Sequence, residues 1–239
     1  MNTPTRFLIC LALTASAIAS GSAAGAGGLT RLRADRSFGF GEWAQAGALY
    51  ELLLDSCPSD AAAYSRAIVA AGMLGDSLRP ADLLSRAMAH GVALDSVAAG
   101  VREAAMEAGH AAAYEEFLVQ TRAHKPYMAR AIDARLLAYY EFRNDGPGIV
   151  ALSEAMLRGL PDSVRYLRSL ARGHMLQGHT AQAEAAWRRV LELDADNVDT
   201  LRDLGCMLMA ENRADEGRKL LARAQQLAPT PYVESLLAR

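Results

Sequence analysis

The chain has 239 residues, 51% of them hydrophobic, with a formal net charge of −2. That is ample material for buried cores, and it sets up no global field toward nucleic acid or an anionic membrane. Aromatic residues make up only 6% while alanine is abundant, which favours helices packed through small side chains over sheets. Lys125 and Lys219 are the only lysines, a bias toward arginine read as background composition.

The first element is "MNTPTRFLICLALTASAIASGSAAGAGG". One basic residue, Arg6, precedes an apolar run from Phe7 to Ala19, small residues follow, and no acid occurs before Asp35. This is the plan of a secretory signal peptide over residues 1–24, with small-x-small cleavage positions after Ala19 or Ala24. A bilayer span needs about 20 apolar residues, so the run predicts a cleaved signal and no membrane span after its removal. Cys10 offers lipid modification as an alternative, but it lies inside the apolar run and follows the bulky Ile9. The remaining cysteines, Cys57 and Cys206, are far apart in sequence and are expected to be small buried hydrophobes without a disulfide.

From residue 25 onward the chain repeats. "LRSLARGHMLQGHTAQAEAAWRRVLELDADNVDT" from Leu167 is followed in phase by "LRDLGCMLMAENRADEGRKLLARAQQLAPTPYVES" from Leu201. A turn residue recurs at Gly41, Gly75, Gly109, Asn144, Gly178 and Asn212, at intervals of 34, 34, 35, 34 and 34. Gly and Asn tolerate the left-handed conformation that closes a helix. A second marker runs 17 residues later, at Pro58, Val92, Pro126, Pro161, Ala195 and Pro229. Proline stops helices. Each unit is therefore expected to hold two helices of about a dozen residues, near 27–60, 61–94, 95–128, 129–163, 164–197 and 198–231. In the fifth, Leu167, Leu170, Ala171 and His174 form one stripe, and Ala183, Ala186, Trp187, Val190 and Leu191 another. Small Ala171 and Ala183 let the backbones approach. Tyr64, Ile68 and Ala71 repeat the first stripe, and Val101 and Ala105 echo it. The tail at 232–239 reads as a capping helix, with Pro231 suited to a first turn.

Leu167, Leu170–Ala171, Gly178, Ala183 and Trp187, repeated as Leu201, Leu204–Gly205, Asn212, Gly217, Leu221 and Pro229, resemble the tetratricopeptide repeat. The resemblance is fullest over 164–231 and thinner over 61–128, where Arg102 replaces a small residue. It is thinnest over 27–60, where "TRLRADRS" is a poor first helix, and over 129–163, where Pro147 disturbs the second. The resemblance implies an all-α, right-handed α-solenoid of about six helix-turn-helix units, stacked because one hairpin cannot bury its faces alone.

Chemistry-bearing motifs are sparse. His90, His110, His124, His174 and His179 are expected as solvated turn histidines, because equivalent repeat positions lie about 10 Å apart, too far to share a metal. "GHT" at Gly178–Thr180 and "DSC" at Asp55–Cys57 are explained by turns, with Thr180 as a helix N-cap. There is no phosphate loop, Cys-x-x-Cys or His-Glu-x-x-His. No catalytic residue, cofactor or metal site is expected.

The resemblance implies an exported, periplasmic or secreted scaffold that holds a protein or peptide partner, not nucleic acid. The alternative is a non-catalytic glycan or small-ligand binder, which would want aromatics on the concave face. By resemblance only Phe142 falls there, and the Tyr139–Tyr140 pair reads equally as core. By resemblance, Arg165, Arg168, Arg172 and Arg202, rimmed by Met175 and Met209, face the concave side. Four guanidiniums suit an acidic or C-terminal carboxylate segment. The family's carboxylate clamp uses Asn where Arg172 stands, and Asp203 opposes an anion. The competing reading is a solvated arginine face balanced by Asp162, Asp199 and Asp203.

Overall fold

The computed structural model describes residues 27–238, and the described residues form helices and turns without a strand. The expected signal peptide at 1–24 lies outside them. Helix α1 occupies 27–39. There follow α2 (Trp43–Ser56), α3 (Ala61–Met73), α4 (Arg79–Ala89), α5 (Leu94–Glu107) and α6 (Ala112–His124), then a 3-10 turn at Pro126–Met128. Next come α7 (Ala129–Arg143), α8 (Gly146–Leu157), α9 (Val164–Leu176), α10 (Thr180–Leu193), α11 (Val198–Ala210), α12 (Ala214–Leu227) and α13 (Pro231–Leu237). Two compact units divide between Ile132 and Asp133, inside α7.

The spacing of turn residues sets the hairpins. All six markers take positive φ: Gly41, Gly75, Gly109 and Gly178 at 70–76°, Asn144 at 52° and Asn212 at 64°. The hydrogen bonds are the same each time. The marker's N–H donates to the carbonyl three residues back, and the next N–H to the carbonyl five before itself, as in Gly178 to Met175 (3.0 Å) and His179 to His174 (2.9 Å). This is the Schellman closure, which satisfies carbonyls orphaned at a helix end. Gly91 also takes positive φ, at 80°, although it stands outside the series.

A β carbon built on Gly178 would meet nothing within 4 Å, so substitution there strains only the backbone. Gly178→Val is expected to destabilise by more than the roughly 1 kcal/mol that separates Gly from Ala in helices. Gly178→Asn should cost less, since Asn already serves at positions 144 and 212. Denaturant unfolding of the two variants checks the order.

Three local expectations differ. "TRLRADRS" is helical, because Ala34 and Phe38 are buried on one side of α1. Pro147 starts α8 within its first turn, where a missing N–H costs nothing, and Asp145 caps that helix by accepting from Gly148 N (3.1 Å). Thr180 is the first residue of α10; His179 holds the N-cap position without a side-chain bond.

In the first unit α3 packs against α2, α4, α5 and α6. Its helix begins where Asp60 accepts from Ala63 N (3.0 Å), and it buries Tyr64, Ile68 and Ala71. Phe38, Tyr50, Leu84 and Leu118 fill the space around it. Tyr50 donates to Asp35 (2.7 Å), and Arg66 bridges Asp35 (3.1 Å) and Glu107 (3.0 Å). In the second unit α8 packs on α9, α9 on α10, α10 on α11 and α11 on α12. Ala171, Ala183, Ala186, Trp187, Leu204, Met207 and Leu208 make its core. Ion pairs repeat with the helices: Arg223–Asp196 (2.5 Å) stands one 34-residue period after Arg189–Asp162 (2.7 Å).

Both remaining cysteines are free, but Cys57 is exposed and Cys206 half-buried. Neither is the buried hydrophobe expected. Cys57 follows α2 directly, where its N–H closes the helix on Leu53 O, so its side chain leaves the packed face.

Candidate functional site

The second unit carries an open cavity of about 1000 Å³. Helix α9 supplies Arg165, Arg168, Ser169, Arg172 and Met175; α11 supplies Arg202, Asp203, Cys206 and Met207. Glu141 from α7, Trp187 from α10 and Tyr232 from α13 complete the principal walls. The three α9 arginines share a face because i, i+3 and i+7 lie on one stripe. Arg202 reaches the same space because α11 repeats α9 one period later.

Five of the six expected site residues therefore come together: Arg165, Arg168, Arg172, Arg202 and Met175. Met209 does not line the cavity. Its Cγ lies 2.8 Å from where a β carbon on Gly217 would stand, so its side chain is taken up at the α11–α12 contact. Met207, buried, supplies a thioether instead.

The arginines are not equivalent. Arg168 donates to Asp199 (2.8 Å), and Arg202 pairs with Asp199 (3.2 Å) and Asp203 (3.0 Å). Asp162 is spent on Arg189. Arg172 donates to Asn144 Oδ1 (3.0 Å) and to the Glu141 carbonyl (3.4 Å), both uncharged acceptors. Glu141's carboxylate is held by Ser169 Oγ (2.5 Å). Arg165 has its guanidinium 6.0 Å from the centre of the Tyr166 ring. Arg165 and Arg172 thus carry positive charge with no carboxylate partner among the described residues. The balanced-arginine reading holds for Arg168 and Arg202 and fails for these two.

Cys206 lies 4.0 Å from the Tyr232 hydroxyl. Burial pushes its thiol above the ordinary value, which keeps it protonated and a poor nucleophile. Tyr232 could not be placed here by period counting, because α13 stands outside the six repeats. Glu141 carries the only signal the sequence offered: it lies three residues before Asn144, at the end of a first helix.

Of the histidines, His90, His110, His124 and His179 are exposed as expected. His174 is half-buried, its Nδ1 is enclosed without a partner, and burial followed by the neighbouring His179 lowers its pKa. Phe142, the aromatic expected to face solvent on the groove side, is 80% exposed. Tyr139 is buried and Tyr140 half-buried.

Paired helices closed by in-phase left-handed turns define an all-α repeat protein. Residues 151–239 match the tetratricopeptide repeat family. Solved structures similar to it include a MamA fragment from Desulfovibrio magneticus RS-1, at 13% identity and TM-score 0.42, covering 84% of this chain and 94% of that one. The C-terminal part of a repeat protein from Cytophaga hutchinsonii shows 12% identity and TM-score 0.48, with coverage of 83% and 78%. The TPR2AB domain of yeast Sti1, solved as a complex with pHSP90, shows 12% identity and TM-score 0.40, with coverage of 90% and 98%. No curated protein matches the chain. No described helix is long and apolar enough to cross a membrane.

Proposed function

We propose that the protein is a non-catalytic scaffold, exported to the periplasm or beyond, that holds a carboxylate-bearing segment of a protein partner in the α9–α11 cavity. The carrying observation is the pair Arg165 and Arg172, which flank the cavity without a carboxylate partner. A guanidinium binds a carboxylate through forked donors. The apolar wall of Met175, Met207 and Trp187 offers an adjustable seat for a neighbouring side chain. Arg168 and Arg202 stay committed to Asp199 and Asp203, so they hold shape and add little net charge.

Selection from a randomised peptide library on the purified protein tests this at low salt, where charge is least screened. Peptides enriched in Asp, Glu or a free C-terminal carboxylate are expected. Arg165→Glu/Arg172→Glu should lose them while melting within the usual surface range of about 0.5 kcal/mol. Enrichment without acidic character, or capture that survives the double reversal, rules the cavity out as a carboxylate site.

A further inference from the structure

We infer that the outer face of α1 is a docking surface for an anionic lipid bilayer, separate from the cavity of the second unit. Helix α1 has two faces of opposite character. Ala34, Ser37 and Phe38 are buried. On the other side Leu29 is 60%, Leu32 67% and Phe40 71% exposed. Arg33 and Arg36 are exposed as well. At about 100° per residue, Leu29, Leu32, Arg33 and Arg36 share an arc of roughly 100°. Phe40 joins that side from the turn, since the Arg36 guanidinium sits 5.6 Å from its ring centre.

Charge selects the occupant. Neither Arg33 nor Arg36 makes an ion pair among the described residues, whereas the acids nearby are turned away. Asp35 is engaged by Tyr50 and Arg66. Glu42, beyond Gly41, accepts from the Ser37 hydroxyl (2.9 Å). Arg31, the third arginine of the helix, is paired with Asp60. The stripe is therefore locally cationic on a chain of net charge −2. A two-fold dimer through this face would set Arg33 and Arg36 against their own copies with no acid between them. An anionic bilayer meets both demands: the apolar side chains enter the acyl boundary, and the arginine stems lie along it with their guanidiniums at the headgroups.

The test uses the full chain made in an exporting host, with its N-terminus fixed by mass spectrometry. Flotation is measured with vesicles of equimolar phosphatidylglycerol and phosphatidylcholine, and with vesicles of phosphatidylcholine alone. Where the N-terminal apolar run is retained it holds both kinds alike, so the difference between them reads the stripe. The wild type is expected to favour the anionic vesicles. Removing both charges in Arg33→Ala/Arg36→Ala should weaken that preference about thirtyfold, at roughly fivefold for each arginine near an anionic surface. Arg33→Lys/Arg36→Lys should keep it, and Leu32→Glu should abolish it. Circular dichroism melts of these exposed-site variants should match the wild type. Equal flotation on both lipids, or an Ala double variant that floats like the wild type, overturns the proposal. So does light scattering that shows a dimer dissolved by Leu32→Glu, which assigns the face to a second copy instead. Peptide capture by the cavity is unaffected by any of these results.

Discussion

Replacing Trp187 with alanine is expected to remove about 3 to 5 kcal/mol of stability from the second unit, the range for deleting a buried large aromatic. The indole is 5% exposed and sits among Ala171, Ala183, Leu204, Met207 and Leu208. Two of those neighbours are alanines on closely paired helices, so the surrounding backbone has few long side chains with which to refill the gap. Partial relaxation is what makes cavities costly. Trp187 also forms a wall of the arginine cavity, so the same substitution should enlarge it and loosen the α9 stripe. Trp187→Phe keeps most of the volume and should cost less. Denaturant unfolding followed by circular dichroism measures both. A loss for Trp187→Ala below about 1 kcal/mol would show that the site collapses freely and that this core is not close-packed.

The hairpins were legible because their punctuation is chemical. Only a few residue types tolerate positive φ, so a period read from Gly41 to Asn212 marks backbone conformations directly. The buried stripes at Tyr64, Ile68 and Ala71 and at Ala183, Trp187 and Val190 were legible for the same reason: helix periodicity leaves one solution for the inward face. Helix starts were harder. Pro147 ends a helix or begins one depending on a shift of a few residues, and only Asp145 accepting from Gly148 decides it. The site was legible as a stripe but not as a charge balance. Arg168 and Arg172 look alike in sequence. Their difference arises because Asp199 comes within 2.8 Å of one, while the other meets the neutral amide of Asn144. Met209 was misplaced because the family pattern fixes a position on a helix and not the side chain's direction. The gap left by Gly217 on α12 draws it inward.

That gap leads to the remaining large effect: Gly205→Val is expected to destabilise the second unit by about 3 kcal/mol, at the upper end of the usual cost of overpacking. A β carbon on Gly205 would stand 2.8 Å from Leu221 Cγ and 3.1 Å from the Gly217 carbonyl oxygen. One on Gly217 would stand 2.8 Å from the Gly205 carbonyl oxygen. Here α11 and α12 touch through backbone, which cannot swing aside as the end of a side chain can. The equivalent positions one period earlier are Ala171 and Ala183, where the chain spends two methyl groups on the same contact. The Gly205–Gly217 crossing is therefore the tighter one, and valine adds two branches where even one carbon crowds. Gly72 in α3 supplies the contrast. A β carbon there meets nothing within 4 Å, so Gly72→Ala should stabilise by roughly 0.5 to 1 kcal/mol through helix propensity alone. Thermal melts of both variants separate the two causes. If Gly205→Val melts with the wild type, or gains stability as Gly72→Ala does, the helices do not meet through their backbones and the α11–α12 register is wrong.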